Sequence, residues 1–132
     1  MPYLLDTNIV SDLVRNPRGL AAGRVLLLAR ETIFTSIIVV SELRYGMARK
    51  PSHRLAVQLE IVLGGLTVIP FDTPADRAYG DLRAQLEATG QIISANDLFI
   101  AAHALSLGYT LVTDNQREFS RVKGLVVENW LR

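Results

Sequence analysis

The sequence predicts an α/β fold with a central parallel sheet and helices on its faces. Short apolar runs alternate with amphipathic stretches along all 132 residues, which is the pattern of successive βαβ units. Neither an internal repeat nor a low-complexity linker interrupts the chain, so we expect one domain over residues 1–132. Several acidic residues follow the apolar runs or lie at helix starts, which would bring them to the carboxyl edge of the sheet.

The first half of the chain is predicted to contain two strands and four helices. Pro17 ends the first helix, because the residue before a proline disfavours helical geometry. Pro51 ends another, and Ser52 is a suitable cap for the helix that follows it. The predicted elements are a short strand at 3–5, helices at 7–15 and 20–30, a strand at 33–36, and helices at 39–50 and 53–64.

The second half is marked by better helix signals. Thr73 followed by Pro74 is typical of a capped helix start, and Gly90 ends that helix. Ser94 or Asn96 caps the next one, which ends at Gly108. The strands predicted in this half are 66–69, 111–113 and an edge strand at 125–127.

Composition narrows the class of protein. An apolar fraction of 49% with 20% charged residues excludes a disordered chain. No stretch reaches the ~20 consecutive apolar residues of a membrane span. The start of the chain lacks the basic region of a signal peptide, so we expect a cytoplasmic protein with no membrane contact.

The absence of cysteine excludes disulfides and thiolate zinc sites. A net charge of +1 leaves any nucleic-acid binding to a local patch.

Four carboxylates are the candidates for a metal site: Asp6, Glu42, Asp97 and Asp114. Carboxylates gathered at one sheet edge repel each other, and a hard cation such as Mg²⁺ or Mn²⁺ removes that cost. Asp97 is the strongest, because it shares a helix face with Ile100, Ala101 and Ala104 and a buried charge needs a partner.

Each of the other three acids also has an ordinary structural explanation. Asp6 can cap the helix that follows it, although Thr7 and Asn8 are able to do the same. Glu42 can be a solvated charge near a helix N-terminus. Asp114, followed by Asn115, is compatible with simple turn chemistry.

At these residues the chain resembles the PIN-domain ribonucleases, specifically VapC-type toxins of toxin–antitoxin modules. The resemblance runs the whole length and is carried by motifs in a fixed order. They are Leu5-Asp6-Thr7-Asn8, Ser41-Glu42-Leu43-Arg44-Tyr45-Gly46, Asn96-Asp97-Leu98-Phe99-Ile100-Ala101-Ala102-His103-Ala104, and Leu111-Val112-Thr113-Asp114-Asn115-Gln116-Arg117-Glu118-Phe119.

The resemblance implies a three-layer PIN fold with the acidic site at the carboxyl ends of the strands. It places Asp6, Glu42 and Asp97 on the family's three core acidic positions, with Asn8 as a polar neighbour. Many relatives place their last acid where this chain has Asn115, so Asp114, just after Thr113, is an alternative fourth ligand.

The expected activity is metal-dependent cleavage of RNA by in-line attack of a metal-activated water. Neither histidine is required as a base; His103 lies far round its helix from Asp97 and is read as structural or exposed. The densest basic stretch offers RNA contacts, with Arg44, Tyr45, Arg49 and Lys50 as the candidates. The competing explanation is a solvated helix C-terminus.

Partners follow from the same resemblance and from surplus apolar surface. The runs around Leu26 and Leu59 exceed what one narrow helix face needs, which is typical of an interface. The family implies a homodimer and a groove for an antitoxin, within an assembly that binds operator DNA through the antitoxin. It also implies structured RNA as substrate, such as a transfer RNA loop.

Two other classes of function compete with the nuclease. A catalytically silent RNA- or protein-binding module would fit the same fold, but all three core acids are present. An aspartate-nucleophile phosphatase would need a second acid two residues after Asp6, where this chain has Asn8. A nuclease is therefore the function that the sequence favours.

Overall fold

The computed structural model describes residues 2–132, and its centre is a five-stranded sheet in which every pairing is parallel. The predicted α/β class is therefore confirmed. The strands are β1 (Tyr3–Leu5), β2 (Ile33–Ser36), β3 (Thr67–Ile69), β4 (Thr110–Val112) and β5 (Val127–Glu128), in the spatial order β3-β2-β1-β4-β5.

Seven helices and one short 3-10 turn complete the described chain. The first helix packs against the third and the fourth, and the fifth packs along the sixth. The helices are α1 (Thr7–Arg15), α2 (Leu20–Leu26), α3 (Ile37–Arg49), α4 (His53–Gly64), α5 (Ala75–Ala88), α6 (Ala95–Leu107) and α7 (Gln116–Phe119), with the 3-10 turn at Arg30–Thr32.

The strand order explains where a ligand would bind. From β1 in the middle, the chain first builds outward through β2 and β3, and later crosses to the other side to add β4 and β5. Leu5 lies opposite Thr35 on one side and Val112 on the other. The carboxyl ends of β1 and β4 thus flank the point at which the winding reverses, where open α/β sheets form their binding crevice.

Local capping signals set several boundaries as predicted. The Ser52 hydroxyl accepts a hydrogen bond from the Leu55 amide at 3.3 Å and begins α4. Gly108 ends α6 with a φ of 70°, a left-handed conformation that glycine adopts without a steric penalty. One boundary in this group differs slightly: α3 begins at Ile37 rather than at residue 39. The Ser36 hydroxyl caps it there by accepting a hydrogen bond from the Ile38 amide.

Other boundaries differ from the sequence prediction. α2 ends at Leu26 rather than continuing to residue 30, and the chain then turns through Arg30, whose guanidinium donates to the Gly64 carbonyl at 2.7 Å. Pro74 itself occupies the cap position of α5, so Thr73 provides no cap. The edge strand begins at Val127, because its pairing with β4 starts there.

The core lies between the sheet and the helices, while part of the apolar surface is exposed. Leu4, Ile9 and Leu111 are completely buried. In contrast, Leu26 and Leu27 are 85% and 83% exposed, which agrees with the predicted surplus of apolar surface. Among the helices of residues 2–132, none combines the length and the apolar character that crossing a membrane requires.

Leu111→Ala should destabilise the protein by about 3 kcal/mol, because it removes a fully buried side chain from a central strand. The matched change Leu27→Ala should alter the free energy of unfolding by less than about 0.5 kcal/mol. Urea unfolding followed by circular dichroism measures both. A cost at Leu27 as large as that at Leu111 would contradict the exposure of this residue.

Candidate active site

Asp6 forms the buried centre of the acidic cluster. It follows β1 directly and is only 2% exposed, with its backbone amide bonded to the Val112 carbonyl at 2.9 Å. One carboxylate oxygen, Oδ1, accepts from the Thr7 amide at 2.7 Å, so Asp6 does cap α1. The other, Oδ2, accepts from the Thr113 hydroxyl at 2.7 Å and the Asn8 amide at 3.3 Å. Asp6 therefore combines a capping role with a position in the crevice.

Glu42 approaches this centre from α3. Its Oε1 accepts a hydrogen bond from the Thr7 hydroxyl at 3.2 Å, which joins α3 to the start of α1. Burial raises the pKa of Glu42, the Thr7 bond opposes the rise, and the charge of Asp6 adds to it. Glu42 is thus half-buried and electrostatically coupled to Asp6, rather than solvated.

Asp97 lies in the first turn of α6, next to a carboxylate that the sequence analysis did not single out. The Asn115 side-chain amide donates to Asp97 Oδ2 at 3.3 Å and to Glu118 Oε2 at 2.8 Å. Glu118 also accepts the backbone amide of Ser94 through Oε1 at 2.8 Å. Asp97 and Glu118 consequently flank Asn115 and form the second half of the cluster.

Asp114 is turned away from the other acids. Its backbone amide donates to Asn8 Oδ1 at 2.9 Å, and this directs its side chain outward. There the carboxylate accepts from the Asn129 amide at 2.9 Å and from Arg132 at 3.2 Å. These two donors lower the pKa of Asp114, as expected of an ordinary paired surface acid. The structure thus separates Asp114 from Asp6, contrary to the arrangement expected from the sequence.

Glu118 takes the place that was expected of Asp114, and a sequence signal for it exists. Asn115 occupies the cap position of α7, and Glu118 lies three residues later in the first turn. An Asn followed at this spacing by Glu is the pattern of a capping box, in which each side chain bonds the backbone amide of the other residue. Here, among the described residues, the Asn115 side chain makes no such bond and donates to the Glu118 carboxylate instead. The pattern, combined with the position after β4, still marks Glu118 as a residue at the same sheet edge.

The electrostatics of the cluster reflect crowding. Burial raises the pKa of Asp97 to about 7, and the negative charges of Asp6 and Glu118 add to the effect. Burial also raises the pKa of Asp6, although bonds from Thr113, Thr7 and Asn8 oppose it. Burial also tends to raise the pKa of Glu118. Hydrogen bonds from Ser94, Asn115 and Asp97 outweigh this effect, so the pKa of Glu118 is lowered. Below about pH 7, therefore, the Asp97 carboxyl holds a proton beside the Glu118 carboxylate.

The donor set fits a hard divalent cation. All four converging groups are carboxylates, the oxygen ligands that Mg²⁺ and Mn²⁺ prefer, and the raised pKa of Asp97 shows that the cluster lacks positive charge. In residues 2–132, no three acidic or histidine side chains enclose an ion as they stand. Their oxygens are engaged instead by Thr7, Thr113 and Asn115. Binding an ion would exchange some of these hydrogen bonds for metal bonds.

The basic candidates lie outside the acidic cluster and differ in their contacts. Arg44 forms an ion pair with Glu60. Tyr45 is 66% exposed, and the Arg49 guanidinium lies 5.7 Å from the centre of its ring. Lys50 is exposed at the end of α3. Arg44 therefore differs from the other three residues, because its charge already has a carboxylate partner.

His103 is structural, one of the two roles expected from its position. It is 1% exposed, and its Nδ1 lies 2.8 Å from the Ser36 hydroxyl. Burial lowers its pKa, so the ring is neutral in the core. Because Ser36 in turn caps α3, the histidine supports the helix that carries Glu42.

Sequence comparisons agree with this geometry. The PIN domain family matches residues 3–125. Ribonuclease VapC2 of Rickettsia felis is 42% identical over 132 residues, which cover 98% of each chain. The tRNA(fMet)-specific endonuclease VapC of Shigella flexneri is 34% identical, again with 98% of each chain covered.

A comparison with solved structures gives the same result for the fold. The crystal structure of VapBC2 from Rickettsia felis bound to a DNA fragment from their promoter superposes with a TM-score of 0.92. It is 40% identical to this chain and covers 98% of this chain and 99% of its own. A family match over residues 3–125 and close relatives along the full length lead to one assignment. The chain belongs to the PIN domain family, among the VapC ribonucleases.

Proposed function

We propose that this chain is a metal-dependent endoribonuclease, the toxin of a toxin–antitoxin module. The observation that carries the proposal is the cluster of Asp6, Glu42, Asp97 and Glu118 at the carboxyl edge of β1 and β4, with the pKa of Asp97 raised to about 7. Such a pocket attracts a cation and repels a bare phosphate, so phosphodiester hydrolysis needs both the metal and the acids.

The four acids are the proposed ligands of the metal ion. Asp6, Asp97 and Glu118 would hold the metal, with Glu42 as a further ligand from α3. Bound Mg²⁺ or Mn²⁺ would supply positive charge for the scissile phosphate and lower the pKa of a coordinated water. Asp97 would have to be deprotonated to act as a ligand, so metal affinity should rise with pH.

Neutral residues keep the carboxylates in position. Thr113 and Asn8 fix the orientation of Asp6 by donating to its Oδ2. Asn115 spans Asp97 and Glu118 with its amide. The reaction is hydrolysis of the RNA backbone: the oxygen of water bonds to phosphorus in line as the bond to the 3′ oxygen breaks. The products are a 5′ phosphate and a 3′ hydroxyl, which takes up a proton from the water.

The substrate and partners are proposed from the relatives. The Shigella flexneri relative is named for tRNA(fMet), which supports a transfer RNA loop as the substrate class. The Rickettsia felis structure is VapBC2 bound to a DNA fragment from their promoter, which supports an antitoxin partner and operator binding through that partner. A homodimer within this assembly and action in the cytoplasm complete the proposal.

Replacing a core acid should abolish cleavage. Asp6→Asn and Asp97→Asn should each lower the rate of Mg²⁺-dependent cutting of cellular RNA by about a hundredfold or more, because each removes a metal ligand. Asp81→Asn, which changes an exposed acid on α5, is the matched control and should cut like wild type. Gel analysis with and without chelator measures this. Cleavage by both site variants at the wild-type rate would reject the proposal.

The fourth acid can be identified by a paired comparison. Glu118→Gln should reduce activity about 10- to 100-fold, because its carboxylate faces Asp97. Asp114→Asn should stay within a few-fold of wild type, because its carboxylate is bonded to Asn129 and Arg132 instead. The same cleavage assay distinguishes the two. A larger loss at Asp114 than at Glu118 would reverse the assignment.

Without metal, crowding at Asp97 should reduce stability as pH rises. Because the pKa of Asp97 is raised to about 7 in the folded protein, the fold holds a proton that the unfolded chain loses near 3.8. The free energy of unfolding from this group therefore falls between these two values and levels off above about 7. In chelator, Asp97→Asn should be more stable than wild type at pH 8 by about 1–2 kcal/mol, discounted for partial exposure.

The control for this effect is the same substitution at Asp114, whose pKa is lowered. Asp114→Asn should give no gain at pH 8. Thermal unfolding at pH 5 and pH 8 follows both variants, and added Mg²⁺ should restore wild-type stability at pH 8. An advantage of Asp97→Asn that does not grow between pH 5 and pH 8 would contradict the crowding explanation.

A further inference from the structure

Arg121 lies just after α7 and reaches across to the segment that precedes α6. Its guanidinium donates through Nη1 to the Ile92 carbonyl at 2.9 Å. Three residues earlier in the chain, Glu118 accepts the backbone amide of Ser94 at 2.8 Å. The two side chains thus hold both ends of the short stretch 92–94, which leads directly into α6.

These contacts belong to a row of side chains along the chain after β4. Asn115, Glu118 and Arg121 are three residues apart, and tight helical turns place such side chains on one side. The backbone has this form here, because the Phe119 amide bonds to the Asn115 carbonyl at 3.3 Å. The next turn is closed by a bond of 3.2 Å from the Arg121 amide to the Glu118 carbonyl. Asn115 completes the row by donating to Asp97, so one row fastens the approach to α6 and its first turn.

The approach to α6 needs this support because it has little of its own. Within the described chain, residues 91–94 have no regular secondary structure, and the Ser94 hydroxyl does not cap the helix. A helix start without such a cap leaves its amide groups to other partners. The position of Asp97, in that first turn, therefore depends on contacts from outside the helix.

We propose that Arg121 is a positioning residue of the metal site, which holds the Ile92 carbonyl and thereby keeps Asp97 in place beside Glu118. The inference rests on the proposed nuclease function and deepens it by adding a residue outside the four acids. Arginine donates hydrogen bonds and accepts none, so it cannot itself be a metal ligand. Arg121 acts instead through the backbone that carries a ligand.

Two effects of Arg121 on a bound metal ion have opposite signs. Its positive charge acts on Glu118 and repels a nearby cation, so removing the charge alone should strengthen metal binding. Loss of the bond to Ile92 would let the ligands move apart, and changes just outside a ligand set typically weaken metal binding by roughly 10- to 100-fold. The direction of the change in affinity therefore distinguishes positioning from a simple effect of charge.

Metal binding can be measured without RNA. The probe is Mn²⁺ alone, and the electron paramagnetic resonance signal of the free ion follows its binding. Arg121→Met removes both the charge and the donor, and it should raise the dissociation constant for Mn²⁺ about tenfold. In the cleavage assay, the Mn²⁺ concentration that gives half the maximal rate should rise by a similar factor. At saturating Mn²⁺, KM for RNA should stay close to wild type.

Arg117→Met is the matched control, because Arg117 is an exposed cation on α7 that lies outside the row. It should bind Mn²⁺ at least as tightly as wild type. Because Arg121 is also exposed, Arg121→Met should unfold near the wild-type urea midpoint in chelator. In a Glu118→Gln background, where one ligand is already lost, adding Arg121→Met should weaken binding by less than about threefold.

The outcomes separate this inference from the proposed function. A Mn²⁺ affinity of Arg121→Met that equals or exceeds that of wild type overturns the positioning role, even if the wild type cuts RNA. A raised KM for RNA with unchanged Mn²⁺ affinity also overturns it and assigns Arg121 to the RNA. An equal loss in the Glu118→Gln background overturns it as well, because Arg121 would then act independently of that acid. Weaker Mn²⁺ binding by Arg121→Met, in a protein whose wild type never cuts RNA, retains the positioning role and rejects the nuclease.

Discussion

The arrangement of the molecule depends on one buried carboxylate, that of Asp6, between the two central strands. Its oxygens accept from the Thr113 hydroxyl, the Thr7 amide and the Asn8 side chain, so both strands and the first helix meet at this group. A buried charge is tolerated only when it is well bonded. These donors make burial of Asp6 possible, and its charge then acts on Glu42 and Asp97.

Strand order makes this concentration of charge possible. β1 lies between β2 and β4, so chain segments distant in sequence begin their helices at one edge of the sheet. The residues following β1 and β4 are joined directly, α3 contributes Glu42 from its second turn, and α6 contributes Asp97 from its first. Unfavourable electrostatics of this kind are typical of sites that sacrifice stability for function.

Local signals predicted much of the fold, and long-range contacts decided the rest. Ser52 and Gly108 mark helix ends through chemistry of their own, so the sequence predicts them correctly. α2 was predicted too long, because its apolar run resembles a buried helix although Leu26 and Leu27 are exposed. No local sequence pattern shows whether another part of the protein will cover an apolar helix face.

Prediction of the site residues likewise succeeded where local sequence signals exist and failed where long-range contacts decide the position. Asp6, Glu42 and Asp97 were found because each lies near an apolar run and matches a family motif, and the structure brings them together from the cap of α1, the second turn of α3 and the first turn of α6. The sequence predicted Asp114 because it directly follows the β4 segment, and Glu118 was not considered; the bond from the Asp114 backbone amide to Asn8 directs the Asp114 side chain outward. The short outer strands limit how the sheet can pair with another polypeptide. β3 has three residues and β5 has two, so the sheet offers few unpaired backbone groups at its margins. Recruitment of another polypeptide by strand addition at these two edges is therefore disfavoured.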